Sequence, residues 1–282
     1  MTYKFQTPAI FLIGPTASGK TETSLRLAEE FPLEIISVDS AMVFKEMNIG
    51  TCKPSLQNLE NVPHHLIDIL QPDAEFDVGI FIRYVDSAIQ TIIQNKKIPL
   101  FVGGTMMFHK VLLDGIHDFP RDDSLREEID QIRRNKGYQL LLNELELLDP
   151  ETFQLIDKKN PRRVQRALEI IKLTKTKLSL LKKEPSKKFL NSENCLILGM
   201  NDSKNNLDIS VEKRLRSIIE DGLVNELEKL INTYKLTSES HSMNSINYKQ
   251  FFPYVEGSIT LEEAFLDALL SLIHISEPTR PS

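Results

Sequence analysis

The sequence lacks the features that mark secreted, disulfide-linked or membrane-spanning proteins. Cysteine occurs only at Cys52 and Cys195, which is too few for a disulfide framework and lacks the paired spacing of a zinc site. No run of about 18 apolar residues is present, and residues 1–6 have neither the basic nor the apolar region of a secretory signal. These absences predict a cytoplasmic protein that does not enter a membrane.

The composition is that of an ordinary globular protein. Hydrophobic residues make up 41% and charged residues 26% of the 282 positions, so the chain is far from a disordered or collagenous composition. This length suffices for one sizeable core, or for one large domain with an insertion.

The formal net charge of -6 argues against a protein that binds nucleic acid over its whole surface. Basic residues are nevertheless concentrated in one stretch, residues 157–188, where twelve Lys or Arg residues stand beside three acidic ones. A polyanion partner would explain this stretch, and so would a solvated helical face.

Short apolar runs alternate with amphipathic stretches over the first part of the chain. Residues 9–13, 34–38 and 98–102 are predicted strands, and residues 20–31 and 77–96 are predicted helices. Such alternation is typical of parallel βαβ units. Helical periods dominate residues 121–183, after which a strand at 195–200 and helices on both sides of Gly222 within 209–230 are predicted.

Residues 14–21, GPTASGKT, match the P-loop pattern in full and lie between a predicted strand and a predicted helix. In such a loop, backbone N–H groups and the helix N-terminus bind phosphate. Lys20 would reach the bridging phosphate oxygens, and Thr21 would hold Mg²⁺. The alternative is a glycine-rich turn with a chance lysine. The predicted phosphate-binding residues are Gly14, Thr16, Ala17, Ser18, Gly19, Lys20 and Thr21.

The predicted fold class is α/β: a P-loop NTPase-like parallel sheet flanked by helices, with an inserted helical subdomain. We assign residues 1–120 to the first part of the core, 121–190 to the helical insertion, 191–269 to the return to the core with C-terminal helices, and 270–282 to a tail.

Two further segments follow predicted strands and should face the same crevice as the P-loop. Asp39 and Ser40 follow the second strand, and Gly103-Gly104-Thr105 follows the third. A phosphate-transferring P-loop protein usually places an acidic residue after such a strand to help hold the metal. The Gly-Gly-Thr ending weakens a kinase interpretation, although Asp39 could serve a kinase as base.

Several motifs together resemble the bacterial tRNA dimethylallyltransferase family, from residue 10 to about residue 269. The family resemblance rests on short segments whose joint occurrence in order is specific. These segments are GPTASGKT at 14–21, SVDS at 37–40, IGTCKP at 49–54, PHHLID at 63–68, VGGT at 102–105 and NPRRVQRALE at 160–169.

The resemblance implies transfer of a dimethylallyl group from dimethylallyl pyrophosphate to the N6 amine of adenosine 37 in tRNA. Asp39 would be the base that accepts the amine proton, although an N-cap or a Mg²⁺ ligand is its alternative role. Lys20 and Mg²⁺ would stabilise the leaving pyrophosphate, assisted by Arg214, which matches a family arginine. Thr105 would orient the amine or cap a helix.

The same resemblance makes the anticodon stem-loop of tRNA the macromolecular partner, with the target base turned out of its stack. We expect the tRNA-binding residues to be Asp39, Ser40, Arg162, Arg163 and Arg166, in a monomeric protein. Arg163 and Arg166 lie one helical turn apart, a spacing that equally suits internal ion pairs. His64 and His65 are predicted to be structural residues in a loop.

Three other functions stay open at this point: a P-loop small-molecule kinase that uses ATP, prenyl transfer to free adenine nucleotides, and a noncatalytic nucleotide-binding or RNA-binding module. Transfer to free nucleotides would not need the helical insertion. The basic stretch therefore favours tRNA.

The chain departs from the family pattern at four positions: Met42, where Gln is frequent, Phe44, where Tyr is frequent, Ser210, where Arg is frequent, and Asn247, where Gly is expected. Reduced activity is one possible consequence. Residues 270–280 resemble a translated sequencing adapter, so we expect a truncated gene model; a genuine polar tail is the alternative.

Overall fold

The computed structural model describes residues 3–117 and 119–276, which divide into two compact units. One unit contains residues 5–110 and 190–276 and carries the main sheet. The other contains residues 3–4 and 111–189 and is mostly helical. Within the described parts of the chain, no helix is long and apolar enough to cross a membrane.

A five-stranded parallel sheet forms the centre of the first unit. Two further strands pair with each other in a separate small sheet. In chain order the strands are β1 Tyr3–Phe5, β2 Ala9–Ile13, β3 Leu33–Ser37, β4 His64–His65, β5 Ile98–Gly103, β6 Lys188–Leu190 and β7 Cys195–Gly199. The five-stranded sheet has the order β4-β3-β5-β2-β7, and β1 pairs with β6.

The α-helices include four that follow one another at the C-terminal end of the described chain. In chain order they are α1 Lys20–Glu30, α2 Leu56–Asn61, α3 Val78–Gln94, α4 Met106–Asp114, α5 Asp123–Lys136, α6 Tyr138–Leu148, α7 Pro150–Leu155, α8 Pro161–Thr174, α9 Leu178–Leu181, α10 Lys204–Glu220, α11 Leu223–Tyr234, α12 Tyr248–Val255 and α13 Leu261–Ser276.

The central strands of the sheet are largely buried and apolar on both faces, as parallel strands covered by helices require. Every residue of β3 is buried. Asp77 is the N-cap of α3, and its carboxylate accepts a hydrogen bond from the Ile80 N–H at 2.8 Å. Its buried stripe of Phe81, Val85 and Ile89 follows the helical period and packs toward β3 and β5.

The helical unit has a core of its own, centred on α5, α6 and α8. Asn160 is the N-cap of α8, where its side chain accepts a hydrogen bond from the Arg163 N–H, and Pro161 occupies the first turn. Val164, Leu168 and Ile171 lie on one face and are buried.

The predicted strands and helices of the sheet unit are confirmed, including both helices around Gly222. One local prediction was wrong. His64 and His65 form the edge strand β4 and not a loop, because their backbone pairs with Ile35 and Ile36 of β3. The short strand β6 follows the stretch of residues 121–183 in which helical periods dominate.

The predicted tail begins within a helix. Residues 270–276 belong to α13, and Ser271 Oγ accepts a hydrogen bond from Gln250 Nε2 at 3.1 Å. The remainder of the adapter-like segment, residues 277–282, lies outside the described residues.

Candidate active site

A cavity of about 730 Å³ lies at the carboxyl ends of β2, β3 and β5, within the sheet unit. This is the edge of a parallel sheet at which ligands usually bind. The structure brings most of the predicted site residues together here. Those that line the cavity are Thr16, Ala17, Ser18, Gly19, Lys20, Thr21, Asp39, Ser40, Thr105 and Arg214.

The P-loop adopts a compact turn between β2 and α1. Ala17 and Gly19 both have positive φ, of 63° and 82°, a conformation that favours glycine. Gly14 does not line the cavity. A Cβ at Gly14 would lie 2.7 Å from the Met200 carbonyl oxygen, so this glycine permits close packing of the loop on the end of β7.

Lys20 is held against the loop, where its Nζ donates to the carbonyl oxygens of Gly14 at 3.0 Å and Pro15 at 2.5 Å. Burial and, to a smaller extent, the Arg214 guanidinium lower the pKa of Lys20 to about 8, whereas Asp39 opposes the shift. Two cations thus share a partly buried space with one carboxylate. Such a site favours an anion, because an anion offsets the repulsion between them.

Asp39 lies in the turn that follows β3. One carboxylate oxygen, Oδ1, accepts hydrogen bonds from the N–H groups of Ala41 at 2.7 Å and Met42 at 3.2 Å. These contacts fix the side chain as an Asx turn. The other oxygen, Oδ2, has no hydrogen-bond partner among the described residues and can accept a proton from a ligand in the cavity.

Thr105 lies in the short connection between β5 and α4 and directly precedes α4. Its N–H donates to the Val38 carbonyl oxygen at 3.3 Å, which joins the ends of β3 and β5 beside Asp39. A Cβ at Gly103 would overlap the backbone of Val38, so only glycine permits this close approach. The predicted proximity of the Asp39 and Thr105 segments is therefore confirmed.

Two hydroxyl groups of the P-loop region face the same cavity. Ser18 Oγ is buried and has no hydrogen-bond partner among the described residues, which is typical of an atom that binds a ligand. Thr21 is exposed and lines the cavity. Hydroxyl and carboxylate oxygens suit Mg²⁺, which normally takes few protein ligands and completes its coordination with phosphate oxygens and water.

The cavity wall also contains residues that the motifs did not single out for a role. His64 Nδ1 lies 2.7 Å from the Val62 carbonyl oxygen, and burial lowers the His64 pKa, so this imidazole is neutral at pH 7. Cys52 Sγ accepts a hydrogen bond from Arg214 Nε at 2.9 Å. The signal that could have identified these residues was their place in the PHHLID and IGTCKP segments.

The four departures from the family pattern have different surroundings. Met42, Ser210 and Asn247 line the cavity. Phe44 is fully buried, and its ring contacts the rings of Phe76 and His241 edge-on or tilted. A hydroxyl at Phe44 would therefore enter the core and not the cavity.

The predicted tRNA-binding arginines of α8 belong to the helical unit and fall into two groups. Arg162 and Arg163 are exposed and form no ion pair with the described residues. Arg166 pairs with the buried Glu169 at 2.8 Å and donates to the carbonyl oxygens of Phe119 and Pro120. Arg166 thus has the internal partners that its spacing also allowed.

Comparison with known proteins decides the family. The family model described as IPP transferase matches residues 42–271. The chain is 40% identical, over 90% of its length and 82% of the relative's, to tRNA dimethylallyltransferase 2 of Geotalea uraniireducens. The chain belongs to the IPP transferase family.

Solved structures of IPP transferases share the fold. The full-length tRNA isopentenylpyrophosphate transferase of Bacillus halodurans is 32% identical, with a TM-score of 0.67, over 96% of this chain and 84% of that one. A eukaryotic dimethylallyltransferase acting on tRNA is 26% identical, with a TM-score of 0.83, over 96% of this chain and 68% of that one. The α/β prediction, with a P-loop NTPase-like parallel sheet flanked by helices, is confirmed.

Proposed function

We propose that this IPP transferase moves a dimethylallyl group from dimethylallyl pyrophosphate to the N6 amine of adenosine 37 in tRNA. The observation that carries the proposal is the single cavity in which Lys20 and Arg214 lie with Asp39 and Thr105. Prenyl transfer needs an anion site for the leaving group and a proton acceptor for the attacking amine, and the two cations and the carboxylate that line the cavity support these roles. The relatives named tRNA dimethylallyltransferase support tRNA as the substrate.

The P-loop and Arg214 bind the pyrophosphate end of the donor. Lys20, the loop N–H groups and the unpartnered Ser18 hydroxyl face the oxygens on which charge grows as the allylic C–O bond breaks. We assign Mg²⁺ to the same end of the cavity, with Thr21 as its protein ligand. When bound, the metal ion supplies positive charge to the leaving pyrophosphate.

Asp39 and Thr105 act on the adenine. The exocyclic amine is a weak nucleophile because its lone pair is delocalised into the ring. As the nitrogen bonds to the allylic carbon and pyrophosphate leaves, the Asp39 Oδ2 oxygen accepts an amine proton. Thr105 orients the amine beside it, and Ser40, which is exposed at the cavity, contacts the flanking nucleotide.

We assign the anticodon stem-loop to the exposed cations of the helical unit, and among them to Arg162 and Arg163. Arg166 would support that surface by fixing the start of α5 through Glu169, whose carboxylate also accepts from the Asp122 N–H at 2.9 Å. The protein is proposed to act as a monomer.

One reaction separates this proposal from its alternatives. The purified protein, Mg²⁺ and labelled dimethylallyl pyrophosphate are incubated with tRNA or with AMP, and ATP is tested in place of the donor. Label in tRNA but not in AMP is the expected result. Label in AMP alone would assign transfer to free nucleotides, and phosphorylation of a small molecule from ATP would assign a kinase.

A further inference from the structure

A carboxylate outside the cavity holds one segment of the cavity wall by its backbone. Glu226 of α11 accepts hydrogen bonds from three successive N–H groups, those of Asn48 and Ile49 at 2.9 Å and of Gly50 at 3.1 Å. Consecutive N–H groups that point in one direction form a small anion-binding concavity. Here the anion is a side chain of the same protein, 176 or more residues away in sequence.

Tyr248 holds this carboxylate from the other side. Its hydroxyl donates to Glu226 Oε1 at 2.6 Å, and its ring is fully buried beneath Gly50, where a Cβ would lie 2.5 Å from Tyr248 Cζ. Burial and the neighbouring Glu226 raise the pKa of Tyr248 well above its usual value. The hydroxyl therefore stays protonated and remains a donor.

Asn247 completes the attachment. Its Nδ2 donates to the Gly50 carbonyl oxygen at 2.7 Å, and its own N–H donates to Gln250 Oε1 at 2.9 Å. Asn247 has a φ of +74°, a backbone conformation that is unfavourable for residues with a side chain. The hydrogen bond from its side chain to Gly50 helps to offset this strain. Both backbone polar groups of Gly50 thus have side-chain partners: its N–H donates to Glu226 of α11, and its carbonyl oxygen accepts from Asn247, which directly precedes α12.

The segment held in this way continues into the cavity. Thr51, Cys52 and Pro54 line it, whereas Glu226 itself does not. Cys52 Sγ accepts the hydrogen bond from Arg214 Nε, which orients the guanidinium beside Lys20. A chain of contacts therefore leads from Glu226 through the loop backbone to Arg214.

We infer that Glu226 is a positioning residue for the donor site: it fixes the 48–52 backbone so that Cys52 holds Arg214 toward the pyrophosphate. The inference rests on the proposed function, because it assigns the pyrophosphate to Arg214. It predicts that changes at Glu226 alter donor binding although the side chain touches no ligand.

The test is Glu226→Gln, which keeps the side-chain shape but turns one acceptor into an NH₂ group that faces the loop N–H groups. We expect the KM for dimethylallyl pyrophosphate and the Kd for inorganic pyrophosphate to rise about tenfold or more. The Kd for tRNA should not change. Glu228→Gln, on the exposed face of the same helix, is the matched control and should behave as the wild type.

A double-mutant cycle distinguishes positioning from general destabilisation. In an Arg214→Ala background the group to be positioned is absent, so Glu226→Gln should change the pyrophosphate Kd by less than about twofold. An equal loss in both backgrounds would overturn the inference, as would an unchanged Kd with a lower Tm.

Tyr248→Phe is a milder second variant, which removes only the hydroxyl that holds Glu226, and it should raise the pyrophosphate Kd in the same direction. An unchanged Kd in this variant would also contradict the inference. Binding of inorganic pyrophosphate does not require prenyl transfer. If the wild type bound pyrophosphate but did not prenylate tRNA, the proposed function would be refuted. The double-mutant cycle would still test whether Glu226 positions Arg214.

Discussion

The cations of the cavity and those of α8 look alike in sequence but differ in their surroundings. Lys20 and Arg214 share a partly buried space, and burial together with the Arg214 charge lowers the pKa of Lys20. On α8, Arg166 has an internal carboxylate, whereas Arg162 and Arg163 have none among the described residues. Whether a basic residue can bind an external anion therefore depends on whether it already has a carboxylate partner within the protein, and not on its place in a basic stretch of the sequence.

Among changes to the cavity residues, we expect a substitution of Asp39 to cause the largest loss of activity. Asp39→Asn keeps an Oδ1 acceptor for the Ala41 and Met42 N–H groups but removes the proton acceptor. We expect the single-turnover rate of prenyl transfer to fall by about 10² to 10⁴, with little change in tRNA affinity. An unchanged rate at saturating substrates would remove Asp39 from the role of base.

Lys20→Met should weaken donor binding by about 10², because the ammonium faces the phosphate charge. The wild type should also show a pH dependence. Below about pH 8, Lys20 of the free protein is protonated, so the affinity for pyrophosphate is at its maximum. Above about pH 8, Lys20 must take up a proton when pyrophosphate binds, so the affinity for pyrophosphate falls as the pH rises. Pyrophosphate titrations from pH 7 to 9.5 measure this. If the affinity of Lys20→Met for pyrophosphate fell equally with rising pH, the pH dependence would belong to another titrating group.

Replacing Arg162 and Arg163 together by neutral residues tests whether the exposed cations of α8 bind tRNA. Each arginine that contacts a phosphate releases counterions, so the slope of log K against log salt should decrease by about 0.7 to 0.9 per residue. Pyrophosphate binding should be the same as in the wild type. Parallel lines for variant and wild type across a salt series would mean that this surface is only a solvated helical face.

Arg166→Ala is the matched variant one turn along α8, and its main effect should be on stability. Glu169 is fully buried and would keep Arg126 at 2.8 Å as a partner, so the loss in the free energy of unfolding should be about 2 kcal/mol. Urea unfolding measures it. A lower salt slope for tRNA without a loss of stability would instead place Arg166 on the RNA.

Most of the predicted residues that line the cavity could be found from the sequence because their signals are local. The P-loop is a continuous motif, and Asp39 and Thr105 follow predicted parallel strands, whose carboxyl ends meet at one edge. The position of the His64–His65 strand could not be predicted, since two residues contain no period.

The contacts of Glu226 and Tyr248 could not be predicted either, because they join residues that are distant in sequence. Asn247 gave a partial signal: it departs from an expected glycine, and its φ of +74° is the physical reason why glycine suits that position. The Arg166 pair was one of two alternatives that its spacing allowed, and only the three-dimensional position of Glu169 distinguishes them.

Locating the transferred group in the tRNA tests the proposed function most directly. After reaction with isotopically labelled dimethylallyl pyrophosphate, the tRNA is digested and the labelled nucleoside is identified and mapped by mass spectrometry. We expect one label per tRNA, on N6 of the adenosine next to the anticodon, and no label after reaction with Asp39→Asn. Label at another atom, or equal labelling by Asp39→Asn, would contradict the proposed function.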